Sequence, residues 1–175
     1  MGSDPLARSV AQVDDDEFRQ TWSGDEFVTW LPIVLISDTG MWLGVDRGGE
    51  WVLGRLEGMV SRGRPLPQSW LTVLDDDEVI FRERLEDAAA RYRLPAVVIQ
   101  ANVPVDEILD MAFRSRSPYW AERAMRWLVN RSSTECHLER VRELAAARWP
   151  NQWTRQTAKR LVAVADRSEP PNRAE

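Results

Sequence analysis

The stretch that most constrains the fold of this chain is residues 27–58, which read FVTWLPIVLISDTGMWLGVDRGGEWVLGRLEG. Its β-branched and aromatic runs are interrupted at residues 38–40 and again at residues 46–50, where Asp and Gly cluster. Aspartate and glycine favour tight turns, whereas Val, Ile and Trp favour strands. The pattern therefore predicts three antiparallel strands arranged as a meander.

The segment after the meander predicts one helix and one further strand. Residues 75–78 are all acidic, and carboxylates stabilise the beginning of a helix. Phe81 and Leu85 follow at helical spacing, and Pro95 marks the end of this helix. Residues 96–100, AVVIQ, are rich in strand-forming residues, so we expect a strand there.

Shorter segments on both sides of the meander carry weaker patterns. Residues 1–13 predict a poorly ordered start, and the acidic residues 14–17 predict the beginning of a short helix over residues 18–22. Residues 61–67 predict a loop because Gly and Pro interrupt them. The state of residues 69–74 is left open by their composition.

The last third of the chain is predicted to be helical almost throughout. Apolar residues recur at helical spacing in four segments, namely residues 105–114, 118–130, 135–149 and 151–166. Ser117-Pro118 and Pro150-Asn151 supply capping residues at two of the predicted starts. The loops are only a few residues long, so neighbouring helices should pack antiparallel. Residues 169–175 predict a frayed tail.

This helical part contains an internal similarity at an interval of 33 residues. Trp120, Leu128 and Val129 reappear as Trp153, Leu161 and Val162. The interval is that of a helical hairpin, and the pattern resembles two HEAT-like repeats. Chance similarity between amphipathic helices is the alternative interpretation, because short periodic segments match easily.

Composition excludes several classes of protein. Of the 175 residues, 43% are hydrophobic and 29% are charged, as in soluble globular proteins, and the longest apolar run, residues 27–36, is too short to cross a bilayer. The first residues, MGSDPLARSV, lack the pattern of a secretory signal. Cys136 is the single cysteine, which fits a reducing compartment. We therefore expect a cytoplasmic protein that does not associate with membranes.

Charge is distributed unevenly along the chain. Residues 1–113 hold 10 Arg against 21 Asp and Glu, for a net charge of −11, whereas residues 114–175 hold 13 Arg and Lys against 7, for +6. An acidic first part and a basic last part are consistent with binding to oppositely charged partners. They are equally consistent with attraction between the two parts or with ordinary solvent-exposed charge.

No set of residues predicts catalysis or a cofactor. His137 is the only histidine, which excludes a multi-histidine metal site, and adjacent side chains such as Cys136 and His137 point about 100° apart on a helix. The acidic runs at residues 14–17 and 75–78 lack the spacing of a calcium loop. The glycines of the central stretch form neither a dinucleotide fingerprint nor a P-loop. We predict no enzyme activity, no metal and no cofactor.

The order of residues in the central stretch resembles the SUKH superfamily. The resemblance spans residues 27–87 and rests on Trp30-Leu31-Pro32-Ile33, Asp38, Gly40, Gly44-Val45-Asp46, Gly48-Gly49, Val52, Gly54 and Ser69-Trp70. It implies a sheet flanked by helices in a non-catalytic binding protein, since many members are bacterial immunity proteins that neutralise toxins. Two departures are that only 26 residues precede the stretch and that the HEAT-like part lies outside the family pattern.

The sequence thus predicts an α+β fold, with an antiparallel β-meander and flanking helices followed by an α-helical hairpin unit. The predicted domains are an acidic one at residues 1–103 and a basic helical one at residues 104–168, with a tail at residues 169–175. We predict a non-enzymatic immunity or antitoxin protein that masks a protein partner, such as a basic toxin. The predicted contact residues are Trp42, Asp46, Glu50, Trp51 and Glu57.

The alternative prediction is binding of nucleic acid through the arginine-rich helices. Its candidate phosphate-binding residues are Arg123, Arg126, Arg155 and Lys159. The overall negative charge and the absence of a helix-turn-helix pattern in the sequence argue against it.

Overall fold

The structure is a computed structural model, which describes residues 4–36, 40–131 and 135–168. The chain divides into two compact units, Met1–Val105 and Asp106–Glu175. The predicted domain boundary, between residues 103 and 104, lies two residues before this division. The fold is α+β, with an antiparallel meander and flanking helices, as predicted from the sequence.

The first unit contains a five-stranded antiparallel sheet in sequential strand order. Its strands are β1 (Arg19–Ser23), β2 (Glu26–Ile36), β3 (Met41–Asp46), β4 (Trp51–Gly54) and β5 (Val60–Ser61). Strands β2 to β4 confirm the predicted meander, while β1 and β5 extend it at both sides. The predicted turn at residues 46–50 connects β3 to β4, and a further turn after β4 leads to β5. The predicted turn at residues 38–40 lies largely outside the described residues.

The sheet curls until its two outer strands approach each other. An isolated parallel bridge joins Trp22 of β1 to Met59, the residue before β5, so the sheet is nearly barrel-shaped. Its interior holds a cluster of buried side chains, Val28, Trp30, Val52 and Val60, with Trp42 packed against them. Inside, the indole of Trp30 donates a hydrogen bond of 2.8 Å to the Thr21 hydroxyl.

Glycine is required at position 44 because the Trp30 ring lies directly over it. A Cβ atom at that position would lie 2.3 Å from Trp30 Cε3 and 2.4 Å from the Leu31 carbonyl oxygen. Both distances are far below van der Waals contact, so only glycine allows the largest interior side chain to lie flat against β3.

The helices of the first unit are α1 (Pro5–Val10), α2 (Glu78–Arg91) and α3 (Ala96–Asn102), with 3₁₀ segments at Asp15–Glu17 and Gln68–Asp75. Helix α2 confirms the prediction, and Asp77 caps it by accepting a hydrogen bond of 2.9 Å from the Val79 amide. The residues whose state the sequence left open form part of the second 3₁₀ segment.

Three expectations for this unit are wrong. Residues 1–13 are not poorly ordered where they are described, because α1 buries Leu6 and Val10. The predicted short helix over residues 18–22 is instead strand β1, and only Asp15–Glu17 form a helical turn. Gly24, at φ +60°, makes the tight turn that returns the chain into β2, and strand pairing then overrides the acidic helix-start pattern.

The predicted strand at residues 96–100 is helix α3. Its apolar residues follow a helical period, since Ile99 is fully buried and Val97, two positions away, is 72% exposed. A strand would place both side chains on one face. The β-branched composition that predicted a strand is therefore outweighed by packing of one helix face against α1 and α2.

The second unit is helical, as predicted. Its helices are α4 (Val105–Arg114), α5 (Pro118–Val129), α6 (Leu138–Ala146) and α7 (Gln152–Ser168), with a 3₁₀ turn at Glu135–His137 before α6. Helices α5 and α6 both pack against α7. Both predicted caps are formed, because Ser117 accepts from the Trp120 amide and Asn151 from the Thr154 amide, at 3.4 and 2.8 Å. The predicted tail lies outside the described residues.

None of the helices in the described ranges is long and apolar enough to cross a membrane.

Candidate functional site

The five predicted contact residues do not form one surface. Trp42 and Trp51 belong to neighbouring strands but to opposite faces of the sheet, because Trp42 pairs with Gly54 and Trp51 pairs with Val45 in the alternating register. Glu50 and Glu57 are exposed, whereas Asp46 and Trp51 are each only 8% exposed. The structure thus does not bring the five residues together at one place.

Asp46 organises the turn between β3 and β4. Its Oδ1 atom accepts hydrogen bonds from the backbone amides of Gly48 at 2.8 Å and Glu50 at 2.9 Å. Its Oδ2 atom lies 3.7 Å from the Arg62 guanidinium. This carboxylate is therefore fully engaged in shaping the turn.

Glu50 and Trp51 line a cavity of about 270 Å³. Polar groups of Asp4, Arg64 and Asn102 border the same cavity. The buried indole nitrogen of Trp51 has no hydrogen-bond partner within the described residues. The cavity is slightly smaller than a typical small-ligand pocket. Buried polar groups usually have a hydrogen-bond partner, so the unpaired indole N–H of Trp51 is an exception in this part of the sheet.

Trp42 lines a separate groove of about 310 Å³ between the sheet and α2. Leu35, 40% exposed, forms the other apolar side, and Arg84 and Arg91 of α2 border it. Arg84 is held in place because it donates to the Leu35 carbonyl at 3.0 Å and pairs with Asp76 at 2.9 Å. Asp87 of α2 also lines the groove, which is therefore a surface of apolar, basic and acidic side chains.

An exposed apolar surface lies where the sheet nearly closes. It consists of Trp22, Phe27 and Met59, which we call the seam patch. Trp22 is 45% exposed, and Phe27 and Met59 are each 63% exposed. The Trp22 and Phe27 rings contact each other with centroids 3.6 Å apart, and Trp22 bridges to Met59 through the backbone.

Strand alternation explains why these three side chains point outward together. Thr21, Val28 and Val60, the sequence neighbours of the patch residues, are buried inside the curled sheet. Successive side chains of a strand point to opposite faces, so Trp22, Phe27 and Met59 face solvent. Sequence reasoning missed this patch because it placed residues 18–22 in a helix. The alternation at Trp22 and Phe27 around a Gly24 turn was the signal for it.

Acidic side chains flank the seam patch. Asp25 lies in the turn between β1 and β2, and Glu57 lies in the loop that leads to Met59. Both are exposed, and neither has a basic partner in the described part of the chain. Glu26 beside Phe27 forms an ion pair with Arg62. The patch is therefore an apolar centre with two carboxylates beside it that have no basic partner among the described residues. One of them belongs to Glu57, which is one of the five predicted contact residues.

The four residues predicted to bind phosphate lie on α5 and α7 of the second unit. Arg126 is already paired with Glu122 at 2.7 Å and lies over the Trp153 ring at 5.4 Å, while Arg123 lies over the Tyr119 ring at 5.1 Å. Arg155 and Lys159 lie one turn apart on α7 and have no acidic partner among the described residues. Two of the four cations are therefore engaged by other side chains.

The sequence expectation that Cys136 and His137 diverge is only partly met. The Cys136 sulfur, a His137 ring nitrogen and an Asp106 carboxylate oxygen all lie within 4.8 Å of one another. The buried His137 ring lies 3.2 Å from Asp106, whose carboxylate also binds Arg131 at 3.0 Å. Desolvation, with a smaller contribution from Asp106, raises the pKa of the Cys136 thiol.

This arrangement favours a hydrogen-bonded cluster over a reactive site. A raised pKa leaves the sulfur as a neutral thiol, which is a poor nucleophile and a poor metal ligand. The Arg131 guanidinium next to Asp106 also repels a cation at the same point. A sulfur, an imidazole nitrogen and a carboxylate oxygen are suitable ligands for a metal ion. The neutral thiol and the nearby Arg131 charge nevertheless disfavour binding of a cation here.

Comparison with protein-family models, with curated proteins and with solved structures gives no match for this chain.

Proposed function

We propose that this chain is a non-enzymatic protein-binding module that masks a partner, in the manner of an immunity or antitoxin protein, in the cytoplasm. The observation that carries the proposal is the seam patch of Trp22, Phe27 and Met59, an exposed aromatic and thioether cluster on a rigid sheet. Contiguous apolar side chains of this kind on a protein surface usually mark an interaction site.

The chemistry of the patch matches that of interface hot spots. Tryptophan and other large aromatic residues contribute most of the binding energy in many interfaces, and methionine adapts its shape to a partner. Asp25 and Glu57 beside the patch complement a basic partner surface, and so does the −11 net charge of residues 1–113. The expected partner is therefore a protein with an apolar pocket rimmed by Lys or Arg.

The absence of enzyme activity belongs to the same proposal. It is supported by the raised pKa of the Cys136 thiol and by the engagement of Asp46 in a turn. Neither residue is set up as an activated nucleophile or as a general base.

The test is affinity purification of the full chain from its native host, with quantitative comparison of variants. Phe27→Ser and Met59→Ser remove apolar surface from the patch without creating a buried cavity, since both side chains are mostly exposed. We expect each to weaken binding of the recovered partner about tenfold or more, as for interface hot spots. Val97→Ser is the matched control, because Val97 is an exposed apolar residue of α3 outside the patch.

Two outcomes would contradict this proposal. One is recovery of the same partner at equal affinity with the Phe27→Ser and Met59→Ser variants. The other is a partner whose toxicity to the host is not relieved when the wild-type chain is co-expressed, which would remove the immunity function while leaving protein binding.

A further inference from the structure

The second unit contains a cleft lined by four arginines that the proposed function does not use. It has a volume of about 820 Å³ and is bordered by the end of α4, by α6 and by residues 147–149. The arginines are Arg114, Arg116, Arg140 and Arg148. This volume lies within the range of sites that bind small molecules.

The positive charge of this cleft is only partly compensated. Arg114 pairs with Asp110 at 2.6 Å, and Arg140 binds Glu143 at 3.0 and 2.9 Å and Asp110 at 3.2 Å. Within residues 4–36, 40–131 and 135–168, neither Arg116 nor Arg148 has an acidic partner. Two acids thus face four guanidinium groups, which leaves two free positive charges at one concave surface.

Arg116 occupies a backbone position that glycine would fill at lower cost. Its φ angle is +52°, in the left-handed region that follows the end of α4. A residue with a Cβ loses about 1 kcal/mol or more there relative to glycine. Strained backbone positions are frequent at functional sites, and Arg116 combines such a position with a side chain that lines the cleft.

Apolar and aromatic groups accompany the arginines. Phe113 and Leu144 are buried and form the apolar part of the lining, while Trp149 is partly exposed at the cleft. A guanidinium fork matches the oxygens of a phosphate group, and an indole offers a face on which a planar base stacks. The cleft combines both features within one site.

We propose that this cleft binds a nucleoside phosphate, with Arg116 and Arg148 on the phosphate oxygens and Trp149 against the base. The ligand is a free nucleotide or the phosphorylated end of a nucleic acid strand, since both present the same two groups. The site differs from the predicted phosphate-binding set on α5 and α7, and it is independent of the seam patch.

The test is isothermal titration of the full chain at low ionic strength with ATP, tripolyphosphate, adenosine and a short 5′-phosphorylated RNA. We expect ATP or the RNA to bind more tightly than tripolyphosphate and adenosine. Arg116→Gly and Arg148→Ala should each weaken binding about tenfold, as for loss of one charge-assisted contact. Trp149→Leu should weaken binding of ATP but not of tripolyphosphate. The tighter of ATP and RNA identifies the source of the ligand.

Matched variants separate binding from folding and from net charge. Arg93→Gly makes the same change at the other left-handed arginine, φ +54°, which follows α2 in the first unit, and it should leave binding unchanged. Arg160→Ala, an exposed arginine of α7 outside the cleft, removes one positive charge elsewhere. Arg116→Gly should not lower the melting temperature, because glycine adopts the positive φ angle at this position without steric strain. Binding lost equally in Arg160→Ala, or no binding of ATP and RNA at millimolar concentration, would overturn the proposal.

Discussion

At the level of single residues, Asp46 is a charged residue whose side chain stabilises a turn. Its carboxylate accepts from two backbone amides of the same turn and lies near Arg62. A partly buried hydrogen bond from a backbone amide to a carboxylate contributes about 1 kcal/mol to stability. The stability of the β3–β4 turn therefore depends on the presence of an oxygen at this position.

Asp46→Ala should accordingly lower the free energy of unfolding by about 2 kcal/mol, since two amide donors lose their acceptor. Asp46→Asn keeps the Oδ1 acceptor and should cost less than about 1 kcal/mol. Urea denaturation followed by tryptophan fluorescence measures both. Equal stability of wild type and Asp46→Ala would mean that Asp46 is free to act as a contact residue, as the sequence alone suggested.

The thiol of Cys136 gives a prediction that depends on pH. Because desolvation and Asp106 raise its pKa, the thiolate should form at higher pH than in an ordinary cysteine, and alkylation by iodoacetamide at pH 8 should be slow. Asp106→Asn removes the smaller, coulombic cause and should speed alkylation at that pH. The rate is read by mass spectrometry from pH 7 to 10. A fast reaction at pH 7 would contradict this account.

Single residues of the candidate sites were only partly predictable. The sequence Asp46-Arg47-Gly48-Gly49 predicts a turn, because aspartate and glycine are both favoured in turns. That Trp51 lies buried while Trp22 is exposed depends on the register of strand pairing, which a local pattern does not fix. Arg116 lines the cleft only because α4 ends where it does, next to α6.

At the level of elements, long periodic segments were predictable and short ones were not. Helices α2, α4, α5 and α7 have apolar residues over several turns, so the helical period is clear in the sequence. Strand β1 and helix α3 are five and seven residues long, and at that length composition and capping signals conflict with tertiary packing. In both cases the secondary structure is determined by the neighbouring element. Pairing with β2 makes β1 a strand, and burial of Ile99 favours a helix at α3.

Helix α7 offers a test of capping at the scale of one element. Asn151 accepts from the Thr154 amide at 2.8 Å and donates to Glu122 of α5 at 2.5 Å. Asn151→Ala removes both contacts and should cost about 1–2 kcal/mol. Asn151→Asp keeps the cap but places a carboxylate against Glu122, so it should be less stable than wild type, and added salt should reduce the difference by screening the repulsion.

Thermal denaturation monitored by circular dichroism at low and at high salt concentration distinguishes the cap from the charge contact with Glu122. Ser117→Ala, at the N-cap of α5, serves as the comparison because that serine makes a capping contact and has no carboxylate partner among the described residues. Identical salt dependence of Asn151→Asp and wild type would show that the contact with Glu122 does not contribute to stability.

At the level of the whole molecule, the two units carry opposite charge and separate candidate sites. The seam patch and its carboxylates belong to Met1–Val105, and the basic cleft belongs to Asp106–Glu175. The sequence predicts a boundary between residues 103 and 104, because helical periodicity begins at residue 105. It did not predict which surfaces would be concave, since a cleft is made by residues from segments distant in the chain.

The division leads to a prediction about residues 104–175 as an isolated fragment. Each of its helices contributes buried apolar side chains, with Ile108, Leu128, Val141 and Ala158 as examples from α4, α5, α6 and α7. Its described ion pairs, such as Arg140–Asp110 and Arg142–Asp166, also lie within it. A unit of this size has a small core, so its stability should be only about 3–5 kcal/mol.

We expect this fragment to show a helical circular dichroism spectrum and a cooperative thermal transition below that of the full chain. Since every residue that lines the basic cleft lies between Phe113 and Trp149, a folded fragment should retain the cleft and its affinity for a nucleoside phosphate. A fragment containing Arg116→Gly, prepared in parallel, should fold equally well and bind about tenfold more weakly. A coil-like spectrum without a cooperative transition would show that the helical unit requires residues 1–103 to fold.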